Sequence, residues 1–212
     1  MEIVGINSEN IKKISDHKKE AEWIKQYRLD SYKFFNELPM PEFGPKYDLD
    51  FNKIIYYKSN DNDMKSDWNK IDKNIKNEFD DLGVIKGECN LDGIGVQYES
   101  EVIYHNMIEE AKEKNVIFTS IEVAMKEYPE LVKKYFGKIV KNNENKFAAL
   151  NSSVFSGGSF IYIPPNTTLD RPLHSYFRIN SKGMGQFERT LIIVDDNSSV
   201  HYVEGCTAPT YS

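Results

Sequence analysis

From Phe147 to Ser212 the apolar positions come in short bursts separated by corners rich in Ser, Gly, Pro, Asn and Asp. Bursts of that length between turn formers predict strands over 147–155, 160–163, 173–179, 187–194 and 200–203. Two of them open strings built alike, FIYIPPNTTL from Phe160 and LIIVDDNSSV from Leu191. Each gives four apolar residues, two turn formers, Asn, two hydroxyl residues and one apolar residue, and the copies start 31 residues apart. Strand-corner-strand units at a fixed offset predict a stacked architecture such as a parallel β-helix, with a β-sandwich as the competing fold.

Ahead of residue 146 the period is mainly helical. Glu20 to Leu38 spaces Trp23, Ile24, Tyr27, Phe34 and Phe35 along one helix face, with Ser15 as an N-cap and Pro39 and Pro41 as stops. Leu49 to Lys58 reads as a strand or extended arm, and Ser59 to Asp67 as a polar loop. Asp72 to Leu82 predicts a short amphipathic helix closed by Gly83. Gly87 to Gly95 reads as a loop holding Cys89, Gly93 and Gly95, and Glu99 to Lys114 as a helix through Val102, Ile103, Met107 and Ala111. His105, beside that apolar face, has no His or Cys at helical spacing and is expected at the surface or near a cap. Thr119 and Glu122 form a capping box ahead of Val123 to Tyr128, Pro129 restarts the helix, and Gly137 ends it.

Charge sharpens the division. The last 66 residues carry 4 basic and 5 acidic side chains, against 23 and 28 in the first 146, which predicts a helical or mixed domain over 1–146 and a strand-built one over 147–212. The net charge of −6 is spread without basic clusters, so no nucleic-acid partner is expected. No apolar run reaches the ~18 residues of a membrane span and the start has no signal-peptide core, which predicts a cytoplasmic protein with no membrane partner. Cys89 and Cys206 lie far apart and outside any Cys-x-x-Cys pair, so neither a disulfide framework nor a structural zinc site is expected. Stacked coils need about three repeats and a cap, and none follows the second copy, so these residues read as the front of a longer protein.

The strings VQYESEVIYHNM (96–107), FAALNSSVFSGGSFIYIP (147–164), YFRIN (176–180), GQFERTLIIVDD (185–196) and HYVEGCTAP (201–209) resemble the amino-terminal half of SufB, the scaffold of the SUF iron–sulfur cluster assembly system. EWIKQYRLDSY (22–32) and PELVKKYFGKIV (129–140) extend the similarity over nearly the whole chain. The resemblance implies an α+β chain, with a helical amino-terminal domain followed by the first coils of a right-handed parallel β-helix. It implies a scaffold, not a turnover enzyme, that receives sulfur from a cysteine desulfurase and its sulfur-shuttle partner. The cluster would be built in a SufBCD-type complex with a SufD-like subunit and a SufC-like ABC ATPase. This chain has no Walker A loop, so ATP hydrolysis belongs to a partner. The family's ligands for the nascent Fe–S cluster, and its contacts with SufC and SufD, lie in the other half, so no cofactor is expected on these residues. Some relatives carry a cysteine-rich insertion near Asn60 to Met64, which this chain lacks.

Sulfane sulfur transfer needs a thiolate that can attack a persulfide and hold the sulfur. Cys206 matches the family's EGC motif, where the cysteine is the proposed point of sulfur entry. Strand alternation puts Tyr176, Arg178 and Asn180 on one face of YFRIN and Phe177 and Ile179 on the other. If the first set faces the β-helix lumen, the resemblance makes Arg178 and Asn180 contributors to an internal sulfur path from Cys206. The bland alternative has Arg178 and Asn180 satisfied by backbone carbonyls, Glu188 or Glu204, and Cys206 an inert buried thiol. Cys89 is expected to be incidental, and His174 to pack or hydrogen-bond within a strand. His201 and Glu204 beside Cys206 raise a Cys-His hydrolase, which their spacing on a short strand disfavours. A β-helix carbohydrate enzyme is disfavoured too, because no strand face collects carboxylates. The reading from a different class is a structural interaction module in the manner of SufD, without sulfur-acceptor chemistry.

Overall fold

The computed structural model describes residues 1–59, 64–81, 83 and 90–210. It is a mixed α and β structure, with seven α-helices and nine strands among the described residues. Strand β1 (Glu2–Val4) pairs antiparallel with β2 (Ile55–Lys58), placing Ile3 opposite Tyr57. Only these last four residues of the expected 49–58 arm are strand.

Helix α1 (Ser8–His17) begins where Asn7 Oδ1 accepts from the Asn10 amide at 2.8 Å. Ser15, expected as an N-cap, is instead buried inside α1. Helix α2 (Glu22–Glu37) follows from Ala21 with no side-chain cap and stops before Pro39. Its Arg28 is fully buried, its Nε and Nη2 donating to the two Glu20 oxygens at 2.8 and 2.6 Å and Nη2 to the Phe155 carbonyl at 2.9 Å. Helix α3 (Lys73–Asp81) starts as Asp72 accepts from the Asn74 amide, and Gly83 closes it at φ +72°.

The expected loop and helix over 87–114 are corrected from Gly93 onward. Strand β3 (Gly93–Tyr98) and strand β4 (Glu101–Met107) form an antiparallel hairpin, and only α4 (Glu109–Glu113) is helical. Glu99 turns the chain at φ +55°, and Val102, Ile103 and Tyr104 are β-branched and aromatic residues that suit a pleated surface. Gly93 belongs in the strand because a Cβ there would meet Phe118 Cδ1 at 2.7 Å.

Strand β5 (Ile117–Ser120) runs into α5 (Ile121–Glu127), whose cap is Ser120, its hydroxyl accepting from the Val123 amide at 3.2 Å. The expected Thr119 capping box therefore does not form. Glu122 instead accepts from Lys18 Nζ at 2.9 Å and from the Gly157 amide at 2.6 Å, tying α5 to α1 and to the start of the next strand. Helix α6 (Pro129–Tyr135) starts at its proline and ends before Gly137 at φ +68°, as expected.

Residues 147–155, read as a strand, are helical in α7 (Lys146–Val154). Asn145 Oδ1 accepts from the amides of both Phe147 and Ala148, so a strong cap and the Ala-Ala-Leu run override the apolar brevity of the segment. Strands β6 (Ser159–Ile163), β7 (Leu173–Arg178), β8 (Leu191–Val194) and β9 (Tyr202–Thr207) follow. The expectation over 187–194 shortens to its second half, and that over 200–203 moves two residues later and lengthens to Thr207.

The strands form two sheets in the orders β4-β3-β7-β9 and β5-β6-β8. Each therefore draws strands from both sides of residue 146. Phe118, Ile161, Ile163 and Leu173 fill the space between the sheets. Helix α3 covers the outer face of the first sheet through Phe79, whose ring lies 5.7 Å from Tyr176. Helices α5 and α6 cover the second through Ile121, Val132 and Phe160.

The 31-residue echo is a physical ladder. Phe160 to Ile163 pair in parallel with Leu191 to Val194. The corners stack as well: Asn166 and Asn197 both sit at φ +57°, and Asn197 Nδ2 donates to Asn166 Oδ1 at 3.3 Å. Beyond the corner β7 and β9 pair in parallel, Leu173 with Tyr202 and Phe177 with Cys206.

Candidate functional site

Cys206 is a free, exposed thiol on β9, an end strand of its sheet. Its register with Phe177 puts it on the inward face, in line with Glu204 opposite Ser175 and Tyr202 opposite Leu173. Glu188 reaches the same point from the segment before β8. One ligand atom from each of Glu188, Glu204 and Cys206 lies within 4.8 Å of the other two. Partial burial, then the charges of Glu188 and Glu204, push the Cys206 thiol above the ordinary range. Burial and the Glu204 charge likewise raise the carboxyl of Glu188.

Arg178 and Asn180 come together, but not toward Cys206. Along β7 the buried residues are Leu173, Ser175 and Phe177, while Tyr176 and Arg178 lie on the opposite, half-buried face that α3 covers. The condition on which the internal path rested is not met, since Phe177 points between the sheets and Arg178 points away. Arg178 Nε donates to Glu78 Oε2 at 2.8 Å, and its Nη1 to Thr207 Oγ1 at 3.2 Å. Asn180 Nδ2 donates to the Tyr98 hydroxyl at 3.0 Å and to Glu78 Oε1 at 3.2 Å. Their side-chain partners include Glu78, Tyr98 and Thr207, where the sequence offered backbone carbonyls, Glu188 or Glu204. Thr207, which takes the Arg178 hydrogen bond, is the neighbour of Cys206 in the chain.

His174 lies on the Arg178 face with its ring 6.2 Å from Tyr176, and burial lowers its affinity for a proton. His201 is exposed outside β9. Cys89 and the loop over 60–63 lie outside the described residues. His105, expected at the surface, has its Nε2 enclosed between the sheets with no hydrogen-bond partner, its ring 4.6 Å from Phe118. Burial and, second, Lys112 bring its pKa down to about 4.

Two participants near Cys206 were recoverable from the sequence by strand alternation, because Glu204 and Tyr202 stand two and four residues before it. Glu78 carried no such signal, since it meets Arg178 across 100 residues of chain.

No helix among the described residues is long and apolar enough to cross a membrane. Residues 8–174 match the family model for the SufBD protein N-terminal region. The chain is 50% identical over 210 residues to an iron-sulfur cluster assembly SufBD family protein of Staphylococcus aureus (strain USA300), covering 98% of this chain and 45% of that protein. A protein of the same description from Staphylococcus saprophyticus matches with the same identity and coverage. The chain thus spans about half the length of these curated relatives. With most of its length inside the family model and half of its residues shared with these relatives, the chain belongs to the SufBD family.

Proposed function

We propose that this chain is the amino-terminal portion of a SufB-type iron–sulfur assembly scaffold and that Cys206 is its sulfur acceptor. The observation that carries the proposal is the exposed Cys206 thiol standing beside two carboxylates at the end of a sheet. A donor persulfide can reach it from solvent, and Glu204 or Glu188 can take its proton. The Cys206 thiolate attacks the outer sulfur of the donor, a new S–S bond forms as the donor's breaks, and the donor leaves as a thiol carrying the proton. Cys206 then holds a persulfide with no net redox change. The parallel pairs β6–β8 and β7–β9, with their corner ladder, support the reading of these strands as the first coils of a right-handed parallel β-helix.

In this reading the cytoplasmic protein is a scaffold and not an enzyme, supplied by a cysteine desulfurase and a sulfur shuttle. It assembles with a SufD-like subunit and a SufC-like ATPase that hydrolyses ATP, and the nascent cluster is its cargo, held by residues outside this chain. Arg178 contributes from the α3 side of the sheet through its hydrogen bond to Thr207, and Asn180 through the Glu78 carboxylate it shares with Arg178. The alternative is a SufD-like module, favoured by the raised pKa of Cys206, which slows thiolate formation. Incubation with a persulfidated desulfurase, followed by peptide mass spectrometry, separates the two. One added sulfur on Cys206, absent in Cys206→Ser, supports the acceptor; labelling confined to Cys89, or none, leaves the SufD-like module.

A further inference from the structure

One row of residues crosses the four-stranded sheet on its inward face. Gly95 pairs with His105 on one side and with Ser175 on the other, and Ser175 pairs with Glu204. The row therefore reads imidazole, no side chain, hydroxyl, carboxylate. At the position where Gly95 contributes nothing there is a cavity of about 10 Å³, lined by Gly95, His105, Phe118, Ser159, Ser175 and Phe177 among others. That is room for a single water, and a buried water needs at least two polar partners. His105 Nε2 is an enclosed polar atom with no partner, and it borders this cavity.

On the other side of the cavity a hydrogen-bonded line leads outward. Ser175 Oγ lies 2.6 Å from Ser159 Oγ, which lies 3.2 Å from the Tyr202 hydroxyl. Tyr202 donates to Glu204 Oε2 at 2.9 Å. A phenol has one proton and a carboxylate is the stronger acceptor, so Ser159 donates to Tyr202 and Ser175 to Ser159. Every donor then points toward Glu204, and Ser175 Oγ is left to accept from the cavity side.

We propose that the cavity at Gly95 is a binding site for one water molecule, which bridges His105 Nε2 to Ser175 and completes a line of hydrogen bonds that holds Glu204 beside Cys206. Tyr202, Ser159, Ser175 and His105 are in this view positioning residues for the thiol. The water site stands on geometry alone; its importance for sulfur transfer rests on the acceptor reading of Cys206.

The charged and titratable groups around the line are few. Glu188 and Glu204 face Cys206, and Lys112 acts on His105. Removing the Tyr202 hydroxyl leaves the Glu204 charge less compensated, so the thiol ionises at higher pH. Removing the Glu204 charge acts the other way.

The test is the pH dependence of Cys206 alkylation by iodoacetamide in the full chain, followed by peptide mass spectrometry so that Cys89 is scored separately. In Tyr202→Phe the midpoint rises by about half a pH unit, and in Glu204→Gln it falls by a similar amount. Gly95→Ala probes the water itself. Its added Cβ would stand 3.5 Å from Ser175 Oγ and 3.6 Å from His105 Cδ2, ordinary contacts that a strand accepts while the methyl fills the cavity. A high-resolution crystal structure of the unmodified chain shows a water within hydrogen-bond reach of His105 Nε2, Gly95→Ala lacks it, and its alkylation midpoint moves. A dry cavity in the unmodified chain, or a midpoint unmoved in Tyr202→Phe and Gly95→Ala variants that keep their thermal transitions, overturns the proposal. Alkylation reports ionisation whether or not Cys206 accepts sulfur, so the two readings fail separately.

Discussion

Glu78 on α3 accepts a 2.8 Å hydrogen bond from Arg178 Nε on β7, and the same carboxylate accepts from Asn180. A guanidinium and an amide that look, along the strand, like free equipment for an anion are thereby committed to a helix on the outside of the sheet. Burying the arginine side chain to 15% exposure is tolerable because its charge is met.

Glu78→Ala is expected to lower stability by about 1.5–3 kcal/mol, the range for hydrogen bonds to charged groups. A double-mutant cycle with Arg178→Ala, read by urea unfolding, recovers most of that loss as coupling. Because Cys206 lies on the other face, its alkylation rate stays within about twofold in Glu78→Ala, a margin of ~0.4 kcal/mol. A large change in that rate would place Arg178 in direct electrical contact with the thiol.

Among the described residues, Arg28 and Glu20 form the most buried ion pair. The guanidinium has no exposure, stacks 3.8 Å over the Phe155 ring, and neutralises Glu20, itself only 4% exposed. Arg28→Ala strands that carboxylate, and a loss of about 3–5 kcal/mol in chemical denaturation is expected. Glu20→Gln with Arg28→Met should be milder than Arg28→Ala alone.

His105 makes the fold acid-sensitive in a defined window. Its folded pKa of about 4 lies below the ordinary 6.5, so the unfolded chain binds the proton first. Its contribution is fully present above pH 6.5 and is lost as the pH falls toward 4, by about 3 kcal/mol at most. Urea midpoints measured at pH 7 and pH 4.5 should converge in His105→Gln relative to the unmodified chain. Equal acid sensitivity in both would mean that the imidazole is not enclosed.

Gly158 sits at φ +103°, and a Cβ there would meet the Arg189 carbonyl oxygen at 2.4 Å. Backbone cannot swing aside as a side chain can, so Gly158→Ala is expected to cost about 3 kcal/mol or more and to lower Tm by several degrees. Gly83→Ala, which shares the positive φ but has open space around it, should cost less.

Local signals carried much of this molecule. Pro129, Gly137 and Gly83 marked real helix boundaries because their backbone preferences act within one turn. The hairpin over 93–107 escaped because Val102, Ile103, Met107 and Ala111 also fit a helical period, and because β7, which pairs with the other edge of β3, lies 80 residues away. Helix α7 escaped for the opposite reason, since its decisive feature is one residue, Asn145, just ahead of an apolar run of strand length.

By itself the sequence determined the 31-residue echo that becomes the β6–β8 ladder, and the family strings, both of which depend on spacing along the chain. Which face of the sheet each row occupies was decided only by tertiary packing. A strand's two faces are equivalent until something covers them, and here Phe118 and Ile161 claimed one side for the interior while Phe79 on α3 covered the other. That choice turned Arg178 toward Glu78, left Cys206 with two carboxylates, and enclosed His105 across from the glycine that makes room beside it.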